Sequence, residues 1–260
     1  SYEMETKRYK TQTPKSPYVP PALSPDATQV IAVESDEGYN HQLVLLDATN
    51  GQVRQRFPNP DNHFYLTPRW SANGQHIVAV KLAQRKASLI LMDVRSGTSK
   101  VLCPPTTEHM GHPVMHGRYV FFNSAHSGID NIYAVDTETL QRYQVTSRKY
   151  GAYNASPAAD GQWLYFNDFS KNGMDVVKMP LSPETWTPWE AVEDRDIRYY
   201  APLVAQEGNT LPLDNVPDHD YPIERYYPWG HTVSIHSWTP EIEPRGQAAQ
   251  LILQSDDVLQ

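Results

Sequence analysis

One motif recurs along the chain at nearly constant spacing, and it limits the possible folds more than any other feature. Pro68-Arg69-Trp70-Ser71-Ala72-Asn73-Gly74, followed by His76-Ile77-Val78-Ala79-Val80, matches Pro21-Ala22-Leu23-Ser24-Pro25-Asp26-Ala27, followed by Val30-Ile31-Ala32-Val33. Shorter versions follow: Pro113-Val114-Met115-His116-Gly117 before Tyr119-Val120-Phe121-Phe122, and Pro157-Ala158-Ala159-Asp160-Gly161 before Trp163-Leu164-Tyr165-Phe166. With a weak fifth copy at Pro202, where Gly208 follows, the prolines lie 47, 45, 44 and 45 residues apart. A fixed period of this length marks a repeat architecture, in which each unit buries its apolar faces against its neighbours.

Each unit continues into a second apolar run that ends at an acidic turn: Leu43-Val44-Leu45-Leu46-Asp47, Leu89-Ile90-Leu91-Met92-Asp93, and Ile132-Tyr133-Ala134-Val135-Asp136. In the fourth unit Pro180 replaces the Asp. A short polar turn, containing Gly51 or Gly97 in the first two units, then leads to an alternating stretch such as Gln141-Arg142-Tyr143-Gln144-Val145. Gly provides the positive φ that tight hairpins need, and Asp bonds its own turn backbone. Each unit therefore reads as four short antiparallel strands, with no helical periodicity between them. The expectation is an all-β fold, a β-propeller of four-stranded antiparallel blades, with four clear blades and a degenerate fifth in a larger or incomplete ring. Continuous apolar runs fit sheets covered on both faces, and the equal spacing argues against a sandwich of unrelated hairpins.

The ends do not fit a complete ring. Thr6-Lys7-Arg8-Tyr9-Lys10-Thr11-Gln12 resembles the outer strand of a blade, so the chain reads as starting inside one. It begins Ser1-Tyr2-Glu3-Met4-Glu5, without the apolar core of a signal peptide and without an initiating Met, as a processed or cut product would. Beyond Pro180 proline becomes denser, and the expected division is residues 1–192 for the blades and 193–260 for a Pro-rich degenerate blade and linker.

Composition removes several functions. Lys plus Arg number 22 against 30 Asp plus Glu, a net charge of −8, with no basic stripe to neutralise phosphates, so nucleic acid is not an expected partner. No apolar run approaches the roughly 20 residues of a transmembrane helix. Cys103 is the single cysteine, which cannot form an internal disulfide and cannot alone build a zinc site, and reads as a small buried apolar side chain.

The Pro-x-Trp-Ser-x-x-Gly repeat with its following apolar strand resembles the TolB-like, WD-type propellers of bacteria. Leu164-Tyr165-Phe166-Asn167-Asp168-Phe169-Ser170-Lys171-Asn172-Gly173-Met174-Asp175-Val176 is similar to the blades, and Tyr227-Pro228, His231 and His236-Ser237-Trp238-Thr239-Pro240 to the linker, of envelope proteins in which a periplasmic propeller precedes an outer-membrane β-barrel. The alternating end Gln250-Leu251-Ile252-Leu253-Gln254-Ser255-Asp256-Asp257-Val258-Leu259 is similar to that barrel's first strand. The resemblance implies a Gram-negative periplasmic module, tethered to the outer membrane through a C-terminal barrel, that binds a protein or peptide of the envelope without catalysis or cofactor. Ala27, where the motif expects Gly, and Pro180 depart from the pattern.

No Gly-x-Ser-x-Gly, His-Glu-x-x-His, phosphate-cradling Gly-x-x-x-x-Gly-Lys or Cys-x-x-Cys motif is present. His109, His112 and His116 form the one dense group of metal-ligand types, placed where one blade passes to the next. In a propeller resembling the oligogalacturonate lyases, a His beside the blade proline contributes to a metal site, which makes a metal-dependent carbohydrate enzyme the alternative. Alternation along a strand, however, sends residues 109 and 112 to opposite faces. A propeller accessory to a peptidase is a further alternative, although its hydrolase module is not in this chain. The loops between second and third strands offer Asp36, Asn40, Asp130, Asn131, Asn172 and Asp175 as binding candidates, since loops on a rigid scaffold are where recognition resides. Tight turns select the same residues without any ligand.

Overall fold

The computed structural model describes residues 2–3, 8–9, 18–36, 38–195, 200–206, 217, 219, 222, 235–242 and 249–255. Contacts divide the chain into two compact units, 1–198 and 199–260. In the first, β1 (Tyr2–Glu3) pairs with β2 (Arg8–Tyr9), and the remainder of the expected strand Thr6–Gln12 lies outside the described residues. Four antiparallel sheets follow, built of strands consecutive in sequence except for one strand that joins the third sheet later in the chain. Blade I comprises β3 (Tyr18–Leu23), β4 (Gln29–Ser35), β5 (His41–Asp47) and β6 (Val53–Arg56). Blade II comprises β7 (Phe64–Trp70), β8 (His76–Ala83), β9 (Lys86–Asp93) and β10 (Ser99–Thr106). Blade III comprises β11 (Met110–His116), β12 (Tyr119–Ser124), β13 (Asn131–Asp136) and β14 (Arg142–Gln144), and blade IV comprises β15 (Ala152–Pro157), β16 (Trp163–Ser170) and β17 (Gly173–Pro180).

Neighbouring blades pack face to face, and the period of two along each central strand decides which neighbour a side chain meets. Ile31, Val33, Leu43, Leu45 and Phe57 of blade I meet Ile77 and Met92 of blade II. Val78, Val80 and Leu89, one position out of phase, meet Val120, Phe122 and Tyr133 of blade III. Phe121, Ile132 and Ala134 point the opposite way and join Leu164 and Phe166 of blade IV. Strands apolar at every position are therefore required, because both faces of the sheet are interior. Each such side chain contributes about 1.5–3 kcal/mol on burial.

The acidic turns are built as their sequences suggest. Asp47 Oδ1 accepts from the backbone N–H of Thr49, and Asp93 Oδ1 from that of Ser96. At the first hairpin of each blade one residue takes positive φ: Ala27 (59°), Gly74 (69°), Gly117 (56°) and Gly161 (69°). Ala27 thus occupies the glycine position of its unit with a Cβ that this conformation disfavours.

Proline spacing and strand register differ in blade IV. Leu23 pairs with Val30, Trp70 with Ile77 and Pro157 with Leu164, so Pro157 is equivalent to Trp70 rather than to Pro68. Each inner strand carries a bulge, between Leu66 and Arg69, Gly111 and Val114, and Tyr153 and Ser156, with Thr67, His112 and Asn154 at positive φ. The bulge, not the proline, is the common feature. Trp70 and Trp163 are half-buried: Trp70 donates from Nε1 to the Ala22 carbonyl of blade I at 3.0 Å, and Lys178 Nζ lies 4.3 Å from the Trp163 ring centroid.

Blade IV ends differently. After Pro180 two short 3-10 turns, Pro183–Thr185 and Trp189–Ala191, carry the chain back over blade III, and β18 (Thr187–Pro188) pairs with β14 as that sheet's fifth strand. Trp186, 6% exposed, closes the contact between blades III and IV against Tyr119 and Phe121. The second unit holds α1 (Ala201–Gln206) and a hairpin of β19 (Ile235–Ile242) with β20 (Ala249–Ser255). Pro202, the expected start of a fifth blade, falls near the start of α1, where proline's missing N–H costs nothing. Tyr227, Pro228 and His231 lie outside the described residues.

Ala27→Gly relieves the positive-φ strain and should stabilise the protein by about 0.5–1 kcal/mol in denaturant melts, whereas Gly74→Ala should destabilise it by a similar amount. Acid unfolding follows from the turns and ion pairs. The Arg56 pair holds Glu34 below the usual carboxylate range, bonds to Thr49 and Arg54 do the same for Asp47, and the Arg148 pair for Asp168. Depressed folded-state values contribute stability above the unfolded value near 4 and lose it as pH falls through the folded ones, so melting temperature should stay level above about pH 5 and drop below about pH 4.

Candidate functional site

Strand direction fixes which loops share a face. Each inner strand starts, and each second strand ends, at the same edge of its sheet, so the loops between second and third strands meet the blade-to-blade connections there. Asn62 of the first connection accepts from the His41 N–H at 2.7 Å and donates to the Tyr39 carbonyl at 3.0 Å. Asp36 organises its loop by accepting from the N–H groups of Gly38 and Asn40 at 2.8 and 2.9 Å. Two cavities open on this face. One of about 630 Å³ is lined by His41, Asp61, Asn62, His63, Phe64 and Gln84 among others. The other, of about 430 Å³, is lined in part by Ser127, Asn131, Gln144, Arg148, Lys149 and Arg195.

The densest chemistry lies at the crown of blade III. Glu108 comes from the connection entering the blade, His126 from the loop between β12 and β13, and Asp194 from the segment that returns over the blade. His126 Nδ1 is 3.2 Å from Glu108 Oε1 and 3.9 Å from Asp194 Oδ1, and one ligand atom of each residue lies within 4.8 Å of the other two. The side chains of His126 and Glu108 are 7% and 10% exposed, that of Asp194 49%. Trp189 stacks on the His126 ring, centroids 3.8 Å apart, and carries the Arg142 guanidinium 3.9 Å from its own centroid. The Arg195 N–H donates to the His126 carbonyl at 2.8 Å.

The residues singled out in the sequence occupy other positions. His109 Nδ1 lies 3.3 Å from Asp130 Oδ1, exposed. His112 is exposed at the β11 bulge, and His116, half-buried, closes β11 beside Gly161. These three imidazoles do not form a ligand cluster: among the described residues, Glu108, His126 and Asp194 are the group that does. Asn40 is bonded to Asp36 through its side-chain amide at 3.0 Å. Asn131 is buried, accepting from the Thr146 hydroxyl at 3.0 Å and the Arg148 N–H at 2.8 Å, which ties β13 to the next connection. Asn172 lies exposed in the β16–β17 turn, and Asp175 exposed in β17. His126 and Glu108 stand 18 positions apart, and Trp189 and Asp194 reach them only by the chain's return, so no short spacing marks the group.

Two further groups carry reactive atoms. Burial pushes the Cys103 thiol up to about 12, which keeps it protonated and unreactive. Ser35 Oγ and His41 Nδ1 are 2.8 Å apart, but among the described residues no carboxylate hydrogen-bonds the His41 ring as a hydrolytic triad requires.

The successive antiparallel sheets form a β-propeller, and the fold is like that of TolB proteins. No family model matches the chain. An uncharacterised protein of Agrobacterium fabrum is 21% identical over 208 residues, 79% of this chain and 69% of that protein. A TolB-like protein of Agrobacterium tumefaciens superposes with a TM-score of 0.54 at 19% identity, over 64% of this chain and 62% of its own. TolB of Acinetobacter baumannii superposes with a TM-score of 0.54 at 18% identity, over 66% and 43% respectively. The chain thus spans less than two thirds of either solved protein. At these identities the likeness is one of fold.

Asp130 holds the His109 imidazole above its ordinary value by accepting a hydrogen bond from its Nδ1–H. An NMR titration should place His109 above an ordinary solvent-exposed histidine, and Asp130→Asn should return it towards the ordinary value.

Proposed function

We propose that this chain is the propeller portion of a non-catalytic interaction module of the Gram-negative periplasm, which binds a protein or peptide through the face carrying its inter-strand loops. The observation that carries the reading is the opening of both polar cavities on that face, each walled by a loop between second and third strands and by a connection into or out of the blade. Rigid sheets hold those loops, so their polar groups are pre-arranged for a partner. In this reading Asp36, Asn40 and Asn131 shape the loops, while Asp130, Asn172 and Asp175 meet the partner. Envelope location is supported by the TolB likeness. Fusion to an outer-membrane barrel, and tethering through it, rests on the linker resemblance and on the hairpin of the second unit, where Ile235, Trp238, Leu251, Ile252 and Leu253 are exposed. The carbohydrate-lyase alternative needs convergent histidines that His109, His112 and His116 do not supply.

Photo-crosslinking residues placed singly at Asn62, Ile129 and Asn172 should give discrete adducts in periplasmic extract. The same residue at Thr49 and Thr137, in the turns of the opposite edge, should give none. Equal labelling at both edges, or none at either, rejects the loop face as the binding surface.

A further inference from the structure

We propose that Glu108, His126 and Asp194 form a site for a first-row divalent transition ion, of the zinc or manganese class, that fastens the returning segment 187–195 to the crown of blade III. This goes beyond the binding role proposed above and does not depend on it. A zinc-class ion held at about 2.1 Å by nitrogen and oxygen ligands places neighbouring ligand atoms about 3.0–3.4 Å apart. The His126 to Glu108 separation of 3.2 Å already fits, and the 3.9 Å to Asp194 closes by rotation of a side chain that is half exposed.

The surroundings favour an ion over a plain polar contact. Glu108 is a carboxylate nine-tenths buried, and among the described residues no lysine or arginine pairs with it. Among the described residues the partners of its carboxylate are His126 and, at 3.5 Å, the Ser124 hydroxyl. Burying a carboxylate without a cation is costly, and a metal ion supplies a charge that, among the described side chains paired with Glu108, only a protonated His126 would otherwise carry. The imidazole is held in place by its stack on Trp189, as ligating histidines are usually fixed by an outer contact. One imidazole with two carboxylates selects against calcium and magnesium, which prefer all-oxygen sets. Three protein ligands leave a coordination position open. The third ligand arrives only with the returning segment, which also bonds the His126 carbonyl through the Arg195 N–H, so an ion here joins two stretches that the chain brings together late.

The test uses the untagged full chain, stripped with EDTA and titrated with zinc or manganese chloride by calorimetry, with melting temperature and amide hydrogen exchange read in parallel. The expected result is one-site binding of at least one ion, a higher melting temperature, and slower exchange at the Val192 and Arg195 amides. Asp194→Asn, at a half-exposed position where folding is retained, should weaken binding at least about ten-fold. Glu108→Gln should abolish it, and Asp130→Asn, at the separate His109 pair, should leave it unchanged. Flat titrations with both ions overturn the proposal and make the group a histidine–carboxylate ion pair only. Binding that persists unchanged in Asp194→Asn and Glu108→Gln overturns it too, since the ion then sits elsewhere.

Discussion

Everything in the first unit depends on a single packing rule: no blade can cover its own central strands. Val78 and Val80 are fully buried by blade III, and Ile77, between them and His76, is fully buried by blade I. Removing one sheet therefore uncovers two others, and stability must propagate along the series. The rule leaves the loops largely free of structural duty. Among the described residues it also leaves one face of the last sheet uncovered, where Tyr165, Phe169, Met174 and Val176 are exposed.

Blade III is the most elaborated unit. It gains a fifth strand from the returning chain, and two tryptophans of that segment dock on it, Trp186 into the contact with blade IV and Trp189 across the crown. Aromatic anchors on an otherwise polar segment concentrate its binding energy at two points. Glu108, His126 and Asp194 meet between those anchors and the loops. The three metal-ligand side chains that converge among the described residues therefore lie where the repeat is broken rather than where it is regular.

What was legible in the sequence followed from local physics. Apolar residues at every position of the central strands announced two buried faces, Asp at strand ends announced the turns, and Ala27 was recognisable as standing in a glycine position. The register of blade IV was not legible, because a bulge changes the count between proline and turn without leaving a residue signature, so Pro157 passed for an equivalent of Pro68. The helix at Ala201–Gln206 stands where the proline spacing suggests the start of a degenerate fifth blade, although its Ala, Leu and Gln residues favour helix and its early proline suits a helix start. The histidines that look like a site, 109, 112 and 116, are near in sequence and separate in space. His126 and Glu108 are the reverse, and only the three-dimensional path of the chain unites them.

The third strand of blade IV leaves its outer edge unpaired among the described residues. Such an edge is a template on which a second molecule can add a strand, and Met174 and Val176 make this one sticky. Asp175 and Lys178 alternate with them, and Pro180 ends the row with no N–H to offer. Charge and proline thus act as gatekeepers against self-association at this edge, where among the described residues blade IV lacks the fourth strand that the other blades carry.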